Sequence, residues 1–480
     1  MLHGCCGRSV IVCIVLLVRA RKDAKALQAT VEKYYGDWPI KVETLGGVRG
    51  AESLVKAVME RREKGCLHVV MLGREDWESA DILESSTPLD VVVYRVPRSR
   101  VRNTRPAMLA NMVVEALSLF ATRVYWDFDL KTYVASTKPL SGSQVRLSIP
   151  NTSSVDVFIG TGLWRKLLEL KCGVRLGENP LIVRVGEGVG RHLVFQGPRA
   201  VVAIDFEVDS LPSYRLAEDY EVIDIDVQDV LKASQPFLNV LIEWSKTLLK
   251  RVFEEVEPDV VVVPWSGGKD STATLLLALE VIPKHLLQVV YVDTGTEFPQ
   301  THKYVELLAE KLGIDVVKLY AGVDRELLAG LRPLPTHDNR WCTGLKLDAL
   351  KRFLSSQKGR KLVIVGDRSV ESVKRSERSP FTQDTMIGVQ DIYRVTPLKV
   401  WSALHVQLYL LSRGVSLHPL YSMGFYRIGC YICPSLRSWE LYAMRETGIH
   451  DMLLKLDGKA KIYRLFLERR GVDVDSRCSE

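Results

Sequence analysis

The sequence predicts an α/β protein of three domains, and three observations carry that reading. Apolar, β-branched runs alternate with helical stretches of about 10–15 residues over the first 130 residues and again beyond residue 259, the pattern of a parallel sheet with crossover helices. Between them, from Ser141 to Ile225, short alternating runs are punctuated by Gly and Pro, as in a small β-rich domain. The 480 residues are 47% hydrophobic and 26% charged, a balance that allows roughly two to four domains and excludes a disordered, collagen-like or disulfide-stapled chain.

Taken in order, Val10–Val18 reads as a buried strand, Ala24–Tyr34 as a helix, Ile40–Thr44 as a strand and Ala51–Arg62 as a helix. Leu67–Leu72 and Asp90–Val96 follow as strands and Met108–Ala121 as a helix. Together they make an α/β domain over residues 1–135 with no phosphate loop or catalytic cluster. In the β-rich domain, 140–226, the strands are Leu181–Val185, His192–Gln196 and Val201–Phe206. It has no stripe of aromatic and basic residues, so it reads as a spacer rather than an RNA-binding module. Val227–Glu255 is a long helix leading into the third domain, 227–480.

Val10–Val18 is nine residues long, well short of the roughly 20 that span a bilayer, and no small-residue cleavage site follows it. Neither a membrane anchor nor a signal peptide is expected. Nine cysteines are too few for a secreted disulfide framework, which points to a reducing cytoplasm. The net charge of +7 is unevenly placed: residues 331–480 carry 25 Lys and Arg against 15 Asp and Glu. A basic last third implies an anionic partner, either a nucleotide or a nucleic acid.

The strongest local signal begins at Asp259. The run Val260-Val-Val-Val-Pro264 feeds Trp265-Ser-Gly-Gly-Lys-Asp-Ser271, and the helical Thr272–Val281 follows. A strand entering a Gly-rich turn at a helix N-terminus points backbone N–H groups at an anion. Gly267 and Gly268 let a phosphate approach the backbone, Ser266 and Ser271 offer hydroxyls, and Lys269 supplies charge. Asp270 would either cap the helix or orient a magnesium-bound water. The spacing is not that of the Walker A loop.

Ser266-Gly-Gly-Lys-Asp-Ser271 resembles the signature of the PP-loop ATP pyrophosphatases, the adenine nucleotide α-hydrolase-like proteins. Three further segments resemble the phosphoadenosine phosphosulfate (PAPS) reductase branch: Val289–Pro299 with Asp293 and Gly295, Arg340-Trp-Cys-Thr343 with Lys346, and Val363–Ser372 followed by Arg375. The resemblance runs from about Asp259 to Pro434. It implies a Rossmann-like parallel sheet binding ATP or a related adenine nucleotide with Mg2+. Lys269 and Asp270 would be catalytic, and Ser266, Gly267, Gly268, Ser271, Asp293, Gly295, Gly366, Arg368 and Arg375 would bind the nucleotide. One departure is local: His405-Val-Gln407 stands where the branch usually has Asp-Val-Trp.

Cys430 and Cys433 form a C-x-x-C, and Cys342 lies in a segment that the resemblance places near the nucleotide. Three thiolates suit a [4Fe–4S] cluster with an open iron, or Zn2+ with His337 or His418 as a fourth ligand. Reduced thiols and a redox dithiol are the alternatives. The cluster-bearing sulfonucleotide reductases use a Cys-Cys doublet where this chain has Cys342-Thr343, and a C-terminal Cys-Gly-x-His type motif where it ends Ser476-Arg-Cys-Ser-Glu480. An ATP pyrophosphatase that adenylates a substrate for sulfur transfer therefore fits better, with a sulfur-donor protein and tRNA or another nucleic acid as expected partners. A sulfonucleotide reductase is the alternative, and a non-catalytic nucleotide-binding component of a nucleic-acid modification system is a third reading.

Overall fold

The computed structural model describes residues 11–150, 154–186, 190–383 and 389–472. Its first sheet is parallel: β1 (Ile14–Val18), β2 (Ile40–Thr44), β3 (Leu67–Leu72) and β4 (Val91–Arg95) lie in the order β2-β1-β3-β4. Every residue of β1 and β3 is buried. Both faces of these strands are covered, which is why β1 is continuously apolar and β3 is apolar but for His68, which pairs with Asp90. The expected first strand is shorter than its apolar run, and Val10 lies outside the described residues.

A hairpin of β5 (Val124–Asp127) and β6 (Thr132–Ala135) pairs with β7 (Gln144–Arg146) across the boundary expected between the first two domains. An antiparallel five-stranded sheet follows, built from β8 (Asp156–Ile159), β9 (Leu181–Arg184), β10 (Arg191–Gln196), β11 (Arg199–Asp205) and β12 (Ser213–Arg215) in the order β12-β11-β10-β9-β8. The helix Trp164–Cys172 packs beside it. Trp164 stacks on Trp439 at 5.2 Å, and Trp439 on Phe206 at 4.5 Å, so an aromatic stack joins this sheet to the helix Ser438–Glu446.

The helix Val227–Val256 is capped by Asp226, whose carboxylate accepts from the Gln228 N–H at 2.8 Å. Its buried stripe includes Phe237, Leu241, Trp244, Leu248 and Val252. Trp244 donates to the Cys13 carbonyl at 3.0 Å, and Ser245 donates to the Pro397 carbonyl at 2.6 Å. This helix therefore ties the first sheet to the last one.

The last sheet comprises β13 (Val260–Pro264), β14 (Leu287–Asp293), β15 (Val316–Tyr320), β16 (Lys361–Ile364), β17 (Phe381–Gln383) and β18 (Ile392–Val395), ordered β15-β14-β13-β16-β18-β17. Only β17 runs antiparallel to its neighbour. The chain moves from β13 to β14 and β15 on one side, then crosses to β16 on the other. The β13/β16 junction is thus a topological switch point, where open α/β sheets leave a crevice at the strand C-termini. Among the described residues no helix is long and apolar enough to cross a membrane.

Candidate functional site

The Gly-rich turn sits at that switch point. The helix after β13 starts at Lys269, three residues earlier than the sequence pattern indicates, with Gly268 at its N-cap. Side chains hold the turn closed: Ser271 Oγ donates to the Gly268 carbonyl at 3.0 Å and lies 3.0 Å from Ser266 Oγ. The Lys269 N–H donates to the Tyr421 hydroxyl at 3.0 Å. Gly366, just past β16, is required by close approach, because a Cβ there would stand 2.8 Å from the Asp270 carbonyl oxygen.

The turn opens on a cleft of about 520 Å3. Among the described residues, seven cationic side chains line it, Lys269 and the arginines 184, 340, 368, 375, 427 and 437, against three carboxylates, Asp270, Asp367 and Glu371. Five of the seven cations come from the basic last third of the chain. An excess of this kind in a crevice attracts an anion.

Three ion pairs order the interior of the cleft. Lys269 Nζ lies 3.0 Å from Asp270 Oδ2, between the rings of Tyr421 and Tyr426 at 5.3 and 5.5 Å. Arg368, 1% exposed, donates from Nε to Asp270 Oδ1 at 2.6 Å and from Nη1 to Asp156 Oδ2 at 2.8 Å. Asp156 is fully buried and also accepts from the Tyr426 hydroxyl at 2.7 Å and the Ala403 N–H at 2.8 Å. Burial by itself would raise the Asp156 pKa, but Arg368 and Arg184 outweigh it and hold the group at about 2. Burial likewise opposes ionisation of Asp270, and Arg368 and Lys269 keep that carboxyl below the usual range. Asp270 therefore does not cap the helix, since the N-cap carries no side-chain hydrogen bond.

Of the residues expected at the nucleotide, Ser266, Gly268, Lys269, Asp270, Ser271, Gly366, Arg368 and Arg375 line the cleft. Gly267 does not; it turns the loop at φ +75° against Val305. Asp293 and Gly295 form a separate turn in which Asp293 Oδ1 accepts the Gly295 N–H at 2.7 Å. Gly295, at φ +78°, has no room for a Cβ because Asp324 would lie 2.1 Å from it.

The sequence reading missed Asp156 and Arg184, which come from β8 and β9. Arg184 lines the cleft and donates through its guanidinium to the carbonyls of Val370 and Glu371, the latter at 3.3 Å. The reading of this sheet as a spacer is corrected, since a spacer would supply neither residue. The available signal was a charge inside an apolar run, Asp156 in Val155-Asp-Val-Phe-Ile159 and Arg184 in Leu181-Ile-Val-Arg-Val185.

The cysteines divide differently from the expected triad. Cys430 and Cys433 are hydrogen-bonded to each other, and Cys342 is buried in the same apolar cluster. Among the described residues, no group of three or more His, Cys, Asp or Glu side chains gathers as a metal requires. Neither proposed fourth ligand reaches the pair: His337 is exposed, and His418 caps its own short helix and contacts Thr301 at 3.1 Å. This donor set does not fit a cluster or zinc. Hydrogen bonding from Cys430, opposed by burial, lowers the Cys433 thiol to about 5. Cys478 lies outside the described residues.

Residues 260–436 match the family model described as the phosphoadenosine phosphosulfate reductase domain. An uncharacterized protein of Methanocaldococcus jannaschii is 31% identical over 273 residues, 56% of this chain and 56% of that protein. The chain thus spans about half the length of that relative. An adenosine 5'-phosphosulfate reductase of Salinibacter ruber is 25% identical over 206 residues, 40% of this chain and 79% of that enzyme. Among solved structures, a Candida auris PAPS reductase in a phosphate complex aligns with a TM-score of 0.32 and 19% identity over 42% of this chain and 97% of that one. With the loop, the switch-point cleft and the arginine-bearing segment after β16 in place, the 260–436 region of this chain belongs to the phosphoadenosine phosphosulfate reductase family.

Proposed function

We propose that the chain binds ATP with its phosphates against the Ser266–Ser271 turn and uses it to adenylate a substrate for sulfur transfer. The observation that carries this reading is the Gly-rich turn at the switch point, opening on a cleft that, among the described residues, sets seven cations against three carboxylates. A substrate oxygen attacks the α-phosphorus, and the bond to the bridging oxygen breaks with release of pyrophosphate. Reduced sulfur then displaces AMP from the adenylated substrate. The helix N-terminal amides and Lys269 are placed to stabilise charge on the departing pyrophosphate. Lys269 must leave Asp270 to do so, or share its proton-bearing nitrogen between the carboxylate and the phosphate. Mg2+ accompanying the nucleotide would neutralise further phosphate charge.

The second reading is a sulfonucleotide reductase, favoured by the match to the Salinibacter ruber enzyme over 79% of its length. Incubation of the full chain with ATP and Mg2+, or with PAPS and a thiol reductant, separates the two. Pyrophosphate released from ATP in the presence of the acceptor supports adenylation, and sulfite released from PAPS supports reduction. Neither product, with the nucleotide still bound, would favour a binding component without turnover.

A further inference from the structure

The sheet β8–β12 and the helix Trp164–Cys172 lie wholly outside the family match, which begins at residue 260, yet they grip the nucleotide cleft at three places. Asp156 at the start of β8 holds Arg368 and Tyr426. Arg184 at the end of β9 holds the carbonyls of Val370 and Glu371. Glu371 in turn pairs with Arg375 and accepts the Arg368 N–H at 3.1 Å. Trp164 donates to the Tyr421 carbonyl at 2.9 Å, and the Tyr421 hydroxyl accepts the Lys269 N–H of the loop. Gln407 closes the edge of the sheet: its side-chain amide donates to the Ile159 carbonyl and accepts the Ile159 N–H, both at 2.9 Å. Its position is one of those where the chain departs from the sequence pattern of the branch, and the departure serves the added sheet.

These contacts share a direction. Those of Asp156, Arg184 and Trp164 reach Arg368, Glu371 and Tyr421, which all line the cleft, and the two charged members, Asp156 and Arg184, are both at least nine-tenths buried. A guanidinium such as that of Arg368 has several donors and can rotate toward either carboxylate; fixing two of its nitrogens leaves its orientation determined. We propose that the β8–β12 sheet is part of the nucleotide site, with Asp156 and Arg184 as positioning residues that set Arg368 and the Glu371–Arg375 pair toward the bound phosphates. The proposal rests on the nucleotide reading given above.

Titration calorimetry of the full chain with ATP tests it, with folding followed by thermal melting. Asp156→Asn is expected to weaken ATP binding about tenfold or more, the scale of a lost charged hydrogen bond, and Asp156→Glu to recover part of that loss. Because Asp156 acts through Arg368, the double variant Asp156→Asn/Arg368→Gln should bind no more weakly than Arg368→Gln alone. A folded Asp156→Asn chain with wild-type affinity, or fully additive losses in the double variant, overturns the proposal. Should Asp156→Asn fail to fold, Arg184→Gln decides by the same cycle with Arg375→Gln. A wild-type chain that binds neither ATP nor PAPS overturns the nucleotide reading and this proposal with it; wild-type binding that Asp156→Asn and Arg184→Gln leave unchanged overturns this proposal alone.

Discussion

Among the described residues there is one all-parallel sheet, β1–β4, and one that is parallel except for its edge strand β17, and the ends of their central strands differ. At the end of β1, Arg19 is paired with Asp76 at 2.8 Å and with Glu75 at 3.4 Å. The chain after β2 folds over that end, with the Leu45 and Gly47 N–H groups donating to the Val18 and Arg19 carbonyls at 2.8 and 2.7 Å. The strand terminus is covered and its cation neutralised. Both strands run on into a helix, Arg21–Tyr35 after β1 and Lys269–Val281 after β13, but the crevice beside β13 keeps a surplus of cations. Topology alone does not make a site; what matters is whether the switch point is left open and which charges remain uncompensated there.

That contrast can be broken most sharply at the two cations. Lys269→Ala should lower pyrophosphate release from ATP by about 100-fold or more, the scale of a lost transition-state donor, whereas Arg19→Ala should leave the rate unchanged in the same assay. Equal rates for wild type and Lys269→Ala would remove the distinction.

Acid provides the next test. Asp156 titrates at about 2 in the folded chain, against roughly 3.9 in an unfolded one. The unfolded chain takes up this proton first, so the stabilisation is complete above about pH 4 and is lost as pH falls toward 2. Asp156→Ala should cost about 3–5 kcal/mol at pH 7, because it strands a buried guanidinium. The gap between the two chains in denaturant titrations should narrow below pH 4. A gap independent of pH would show that the carboxylate charge is not what stabilises.

Glycines sharpen the comparison at smaller scale. Gly366→Ala places a Cβ 2.8 Å from the Asp270 carbonyl oxygen, and should cost about 1–3 kcal/mol and weaken ATP binding. Gly47→Ala meets nothing within 4 Å but sits at φ +79°, so it should cost about 1–2 kcal/mol of backbone strain with binding intact. Smallest in consequence is the thiol pattern. Burial, with the nearby Cys66, pushes Cys13 in the first sheet up to about 12, whereas Cys433 is drawn down to about 5. Iodoacetamide at pH 6.5 should label Cys433 and leave Cys13 unmodified in the native chain, as read by peptide mass mapping.

Both parallel sheets were legible in the sequence because buried parallel strands leave uninterrupted β-branched runs, as in Val260–Val263 and Val69–Val70. The anion turn was legible because its glycines, serines and lysine are contiguous. Asp156 and Arg184 were not, since each is one charged residue in an apolar strand and its partner lies about 190–210 residues away. Sequence spacing carries no record of such a pair. The cysteines misled for the opposite reason: C-x-x-C spacing brings two thiols together locally, but only tertiary packing decides whether Cys342 joins them.

Titration of ATP into the full chain, repeated with inorganic pyrophosphate already present, is the most direct test of the account. It predicts one ATP per chain, displaced competitively by pyrophosphate and weakened by Lys269→Ala. ATP binding that pyrophosphate and Lys269→Ala leave unchanged, or no binding at all, would contradict the assignment of the Ser266–Ser271 turn as the phosphate site.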